Sequence, residues 1–95
     1  MSAASRRHMA RVARVPCVLC RHMGMGDSPA EVHHMKYGTG ASDRASDYLT
    51  IALCERHHKV EYPESVHALK ERGLRLRYNL SEIDLLAMTL EAISQ

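Results

Sequence analysis

The chain has 95 residues, of which 45% are hydrophobic, with no Phe, no Trp and a net charge of +2. This length fits one domain, and so small an aliphatic core predicts the need for a metal or a disulfide as a stabilising element. Three cysteines argue against a closed set of disulfides, and no apolar run approaches the roughly 20 residues of a membrane span. We therefore predict a cytoplasmic protein with no membrane partner, whose reduced thiols are available for metal binding.

The charges are distributed unevenly along the chain. Residues 1–30 carry five arginines and one acidic residue, whereas residues 61–95 carry four basic and six acidic residues. Residues 1–15 are predicted to form a basic N-terminal arm or helix, and residues 16–95 a single domain. A basic segment of this kind is compatible with contacts to phosphate, and equally with an ordinary solvated helical face.

The first half of the chain predicts a helix followed by two strands. Residues 2–14 favour a short helix that Pro16 ends. Residues 31–35 and 48–53 have the composition of strands, and the loop between them, residues 38–47, is rich in Gly, Ser and Asp. These segments predict a hairpin.

The second half predicts helices. Cys54 ends the second strand, and residues 55–59 favour the start of a helix. Ser65 is an expected N-cap for a helix that continues to about residue 72 and stops at Gly73. Ser81 and Asp84 predict a capping box at the start of the last helix. Together with the hairpin, this pattern predicts an α+β fold.

Two residue pairs have the spacing of a zinc site. Cys17-x-x-Cys20 forms a tight turn with two thiols, and Cys54-x-x-His57 repeats the spacing after the second strand. Together they give a Cys3His set, the closed tetrahedral arrangement of structural zinc, and they use every cysteine in the chain. His58 is an alternative fourth ligand, but His57 is preferred because it repeats the two-residue gap. The competing interpretation is that the cysteines are inert core residues.

The seven histidines include two adjacent pairs, His33-His34 and His57-His58. Neighbouring residues in a strand point to opposite faces, so His33 and His34 are not expected to coordinate one ion side by side. One of them can hold a metal while the other deprotonates a water molecule. Metal-assisted phosphodiester cleavage needs a metal ligand and a base as separate groups, since a divalent ion stabilises the leaving oxygen and a neutral imidazole acts as the base.

The combined motifs resemble the HNH endonucleases, the ββα-metal or His-Me finger fold. The motifs that carry the resemblance are Cys17-x-x-Cys20, Val32-His33-His34-Met35 and Leu53-Cys54-x-x-His57-His58. The resemblance implies a small ββα-metal domain with a Cys3His zinc ribbon and flanking helices. It also implies that His33 and His58 bind the catalytic metal and that His34 is the general base.

The stretch between the two strands narrows the resemblance. Gly38-x-Gly40-x-Ser42-Asp43-Arg44-Ala45-Ser46-Asp47, with the later Val66-His67, is similar to small phage and prophage proteins related to the recombination-enhancement nuclease. This resemblance covers residues 17–67. It leaves the basic arm and the last helix outside.

The chain departs from the HNH pattern at two points. The middle Asn that orients the general base is missing; Asp47 is the best substitute by position and Asp43 the next, although either would also suit a loop residue that caps its own backbone. Some HNH enzymes have a further ligand four residues after the last histidine, where this chain has Tyr62. His67 is then the candidate for completing the metal shell, against the alternative of a surface or packing residue.

The resemblance implies a metal-dependent endonuclease that hydrolyses DNA phosphodiester bonds in phage or prophage recombination or DNA processing. Its cofactors would be structural Zn2+ and a catalytic Mg2+, Mn2+ or other transition metal. The implied partner is duplex or single-stranded DNA, and so short a chain is compatible with a homodimer or a recombination protein partner. The first alternative is a non-catalytic, zinc-stabilised nucleic-acid-binding module, favoured by the missing Asn. The second is an adaptor that binds protein through residues 82–94.

Overall fold

The computed structural model describes residues 2–35 and 46–95. The predicted α+β class is confirmed, with a two-stranded antiparallel sheet and several helices. In chain order the described elements are α1 (Ala3–Arg14), α2 (Val18–His22), β1 (Glu31–His34), β2 (Thr50–Leu53), α3 (Glu55–His58), α4 (Val66–Tyr78) and α5 (Glu82–Ile93). In the hairpin, His33 pairs with Ile51 and His34 with Thr50.

Helices α1 and α5 both pack against the hairpin, and this packing explains why burial does not alternate along β2. All four residues of β2 are buried, because α1 and α5 both pack against this strand. Strands that are covered on both faces have apolar residues at consecutive positions, rather than apolar and polar residues in alternation. Val12 of α1 and Leu85 of α5 are 0% exposed in the same core. The basic N-terminal segment is therefore a helix that shares the core of the remaining chain.

Three helices begin with a serine N-cap, and two of these caps, Ser65 and Ser81, were predicted. The side chains of Ser2, Ser65 and Ser81 accept hydrogen bonds from backbone N–H groups in the first turns of α1, α4 and α5. Ser81 and Asp84 form the predicted capping box, with distances of 2.8 and 3.1 Å. These caps fix where α4 and α5 begin, and so they fix the residues in the first turn of each helix.

The predicted end of α4 at Gly73 is wrong. The helix continues to Tyr78 and ends at Asn79, whose φ of 58° is the left-handed conformation of a C-terminal cap. The interruption lies earlier, at Lys70, where φ is 59° and ψ is −174°. Gly73 has a packing role instead, since a Cβ added there would lie 3.0 Å from the Cβ of Leu69.

The boundaries of α2 and β2 differ slightly from the predicted ones. The tight turn after Cys17 continues as the short helix α2, and β2 begins at Thr50 rather than at residue 48. Asp43 and most of the predicted loop lie outside the described residues. No helix in the described ranges is both long and apolar enough to cross a bilayer.

Candidate functional site

The first part of the site is a Cys3His group with the dimensions of a zinc centre. Nδ1 of His57 lies 3.6, 3.5 and 3.3 Å from the sulfurs of Cys17, Cys20 and Cys54, and the sulfurs of Cys20 and Cys54 are 3.7 Å apart. Tetrahedral zinc requires about 3.8 Å between sulfurs and about 3.5 Å between sulfur and nitrogen. A disulfide would need about 2.05 Å. The group is therefore positioned to bind a metal ion, with the chemistry of structural zinc.

Burial favours the neutral forms of Cys17 and His57, and a cation is needed to reverse that preference at the thiol of Cys17. Burial raises the pKa of Cys17 to about 12 and lowers the pKa of His57. A zinc ion binds thiolate sulfur and neutral imidazole. It would therefore lower the raised pKa of Cys17, whereas the lowered pKa of His57 already favours the neutral form that zinc binds. The N–H of Cys20 also donates to the sulfur of Cys17 at 3.4 Å, which supports negative charge there.

The second part of the site is a group of three imidazoles from three different elements. His33 lies on β1, His58 ends α3 and His67 is in the first turn of α4; one nitrogen from each lies within 4.8 Å of the others. The ring centroids are 5.2 Å apart for His33 and His58, 4.9 Å for His33 and His67, and 5.3 Å for His58 and His67. Nitrogens this close can serve as ligands of a single ion.

His33 is held by a buried carboxylate from the last helix. Its Nε2–H donates to Oε2 of Glu82 at 2.8 Å, and both side chains are 1% exposed. The other ring nitrogen, Nδ1, is buried and has no hydrogen-bond partner among the described residues. Leaving such an atom unpaired costs about 1–3 kcal/mol. A metal ion at the imidazole group would satisfy it, so the residues present fit a metal.

His58 has a carboxylate partner of its own. Its Nδ1–H donates to Oε1 of Glu31 at 2.7 Å, which leaves Nε2 as its remaining donor atom. This hydrogen bond lowers the pKa of Glu31, with a smaller contribution from Lys59, whose Nζ lies 3.7 Å from the other carboxylate oxygen. Histidines that bind metals usually donate their second N–H in this way, because the partner fixes the tautomer and the ring orientation.

The imidazole group is accessible from the surface. His33 is buried, whereas His58 and His67 are half-buried and line a depression of about 270 Å³. The rim of the depression includes Lys59 and Glu61. A ligand in this depression would therefore reach two of the three rings, with a cationic side chain beside it.

His34, next along β1, has a different environment. Its side chain is 39% exposed, and its Nε2–H donates to Oδ1 of Asp47 at 2.9 Å. The predicted substitute for the missing Asn therefore does contact the ring of His34. The hydrogen bond leaves Nδ1 of His34 as the nitrogen able to accept a proton.

The structure brings most of the predicted site residues into two groups. His57 lies with the three cysteines, and His58 lies with the other imidazoles rather than in the zinc group. His67, for which a surface or packing role was the alternative, also lies among the imidazoles.

Glu82 and Glu31 were missed by sequence reasoning. A signal for Glu82 was present, because position 82 falls on the same helical face as the buried residues Leu85, Leu86 and Thr89. A carboxylate on an apolar face requires a buried partner.

The chain matches the family model described as "Recombination enhancement, RecA-dependent nuclease" over residues 1–93. A search of curated proteins finds no match. The matched region includes α1 and α5, and so extends beyond residues 17–67. It supports a nuclease role in recombination and, with it, a DNA substrate. The chain belongs to the family of recombination-enhancement, RecA-dependent nucleases.

Proposed function

We propose that the chain is an HNH-type, metal-dependent endonuclease that hydrolyses DNA phosphodiester bonds during phage or prophage recombination. The observation that carries the proposal is a second group of potential metal ligands, His33, His58 and His67, separate from the Cys3His group. A protein that used zinc only to fold would have no need for it. The half-buried pair of His34 and Asp47 on the same hairpin supplies the remaining chemistry.

The two metal groups suit different tasks. Four protein ligands close the Cys3His group, as in structural zinc, whereas three imidazoles leave positions open for water and substrate. A divalent ion held by the imidazoles would stabilise the charge that develops on the leaving oxygen. Imidazole donors favour a transition metal over Mg2+. The depression beside His58 and His67 gives a phosphate access to this position.

His34 is the proposed general base. Its Nδ1 takes the proton from the attacking water, while Asp47 holds Nε2–H and stabilises the imidazolium that forms. Asp47 would thus perform the orienting role of the missing Asn. His33 points to the opposite face of the strand, and this separation lets one strand supply both a metal ligand and a base.

Cleavage is tested with supercoiled plasmid and single-stranded circles, using zinc-loaded protein. Metal-stripped buffer is compared with added Mg2+, Mn2+ and Ni2+, with and without RecA-coated homologous single strands. RecA is included because the family description names it, and such a partner would present DNA to a chain this small. We expect nicking or linearisation only where a divalent ion is added. DNA that is bound but intact in every lane would contradict the proposal and favour the non-catalytic binding module.

Glu82 is the proposed positioning residue for His33. The substitution Glu82→Gln keeps the shape of the side chain but removes the charge that holds the Nε2–H of His33. We expect a loss of about 10–100-fold in affinity for the second metal, since partners behind metal ligands contribute this much. Calorimetric titration of zinc-loaded protein with Mn2+ or Ni2+ measures it. Glu91→Gln, an exposed change on the same helix, is the matched control.

If Glu82→Gln binds the second metal as tightly as the control does, the buried hydrogen bond between His33 and Glu82 has a purely structural role. Thermal unfolding of both variants separates the two readings. A change in melting temperature without a change in metal affinity would assign Glu82 to folding alone.

A further inference from the structure

The exposed face of α1 carries arginines that have no acidic partner among the residues that the structure describes. Arg7, Arg11 and Arg14 are separated by four and three residues, which places them along one side of the helix, and all three are exposed. Ser5 and Val12 occupy the buried side. None of the three arginines forms an ion pair within residues 2–35 and 46–95.

This pattern differs from the other charged helices of the same chain. Arg75 has Glu71 at 3.3 Å and Lys59 has Glu55 at 3.4 Å, each as an i, i+4 pair. Helix α1 has no acidic residue, and Arg7 stands four positions from Arg11, a like-charge spacing that destabilises a helix. An ordinary solvated face would mix the two signs. A row of arginines along one helix face, which we call the arginine stripe (Arg7, Arg11 and Arg14), instead suits binding to an external polyanion.

Helix α1, which carries these arginines, lies close to His34, the proposed general base. Helix α1 packs against both strands of the hairpin. The ring of His8 lies 5.2 Å from the ring of Tyr48, which directly follows Asp47 in the chain. Asp47 in turn accepts the hydrogen bond from His34, whose side chain is 39% exposed. A nucleic-acid strand that reached His34 would pass next to this helix.

We propose that the arginine stripe of α1, Arg7, Arg11 and Arg14, binds the DNA backbone beside the phosphodiester that is cleaved. The position beside the cleaved bond rests on the proposed function, but binding itself does not require catalysis. Guanidinium groups pair bidentately with phosphate. The stripe is about 10 Å long, from a rise of about 1.5 Å per residue. Because phosphate contacts carry no sequence information, binding by the stripe is expected to be independent of sequence.

Fluorescence anisotropy with a labelled duplex tests this surface over a range of salt concentrations. The background is His34→Ala, so that binding is measured without cleavage. The test variant combines Arg7→Gln, Arg11→Gln and Arg14→Gln. The control combines Arg72→Gln, Arg75→Gln and Arg77→Gln on α4, which removes the same charge from exposed positions. Zinc content and circular dichroism establish that both variants are folded.

We expect the α1 variant to bind about 100-fold more weakly near 0.1 M salt, and the slope of log affinity against log salt to fall by about 2–3. The α4 control should change both far less. Equal losses in the two variants, or no loss in the α1 variant, would overturn the proposal and leave α1 for another partner, such as an acidic protein. A salt-dependent loss of DNA affinity that is confined to the α1 variant supports the arginine surface even if the wild type cuts no DNA. The proposals of DNA binding by α1 and of DNA cleavage can therefore fail separately.

Discussion

Removal of zinc is expected to unfold the chain. Zinc binding contributes on the order of 10 kcal/mol in small zinc domains, whereas whole domains are stable by only about 5–15 kcal/mol. The Cys3His group joins the start of α2 to the end of β2 and to α3. Its member Cys17 and the nearby Leu19 are both 0% exposed. Without the ion, three thiols and an imidazole would be left close together in a small aliphatic core.

This expectation is measured by circular dichroism during titration with a strong chelator, and with Cys54→Ser, which cannot supply a thiolate. We expect loss of the cooperative thermal transition in both cases. His57→Cys is the matched control, since a set of four cysteine ligands also holds tetrahedral zinc and should preserve the transition. A chelated protein that still melts cooperatively near the temperature of the zinc-loaded protein would show that the fold does not depend on the metal.

The second large effect is expected from His34→Ala. Loss of a general base lowers the rate of the chemical step by about 10²–10⁴-fold. The substitution should leave the affinity for the second metal unchanged, because His34 lies outside the imidazole group. Single-turnover cleavage at saturating metal measures the rate, and calorimetry measures the affinity. His22→Ala, an exposed change in α2, is the control.

Further substitutions at His67 and Asp47 separate the role of the metal ligand from that of the general base. His67→Ala should raise the metal concentration needed for half-maximal cleavage, whereas His34→Ala should not. Asp47→Asn should retain more activity than Asp47→Ala, because an amide oxygen can still accept the Nε2–H of His34. Undiminished cleavage by His34→Ala at saturating metal would assign the base to another residue.

The zinc group could be predicted from the sequence because its signal is local. Each pair, Cys17 with Cys20 and Cys54 with His57, lies within one turn of the chain, and the tetrahedral preference of zinc joins the pairs. The second strand could be identified by its β-branched and aromatic residues, and the first as a short run separated from it by turn-forming residues. Ser65 and Ser81 marked helix starts through a side-chain chemistry that acts over three residues.

The partners of the imidazoles could not be predicted in the same way. Glu82 is 49 positions from His33, and its pairing depends on how α5 packs over the hairpin. The position of His67 depends on the turn before Ser65, and no local spacing specifies it. The end of α4 is not predictable either, because Gly73 has the sequence signature of a stop signal without acting as one. Its lack of a side chain instead serves contact with Leu69, and the break falls at Lys70.

The most direct test of two separate metal sites is the location of each ion by anomalous X-ray scattering. Crystals of the zinc-loaded protein would be soaked in Mn2+ and measured on both sides of the zinc absorption edge. The two-site hypothesis predicts a zinc peak among Cys17, Cys20, Cys54 and His57, and a second metal peak among the nitrogens of His33, His58 and His67. A zinc peak alone, with no metal at the imidazoles at saturating Mn2+, would contradict it.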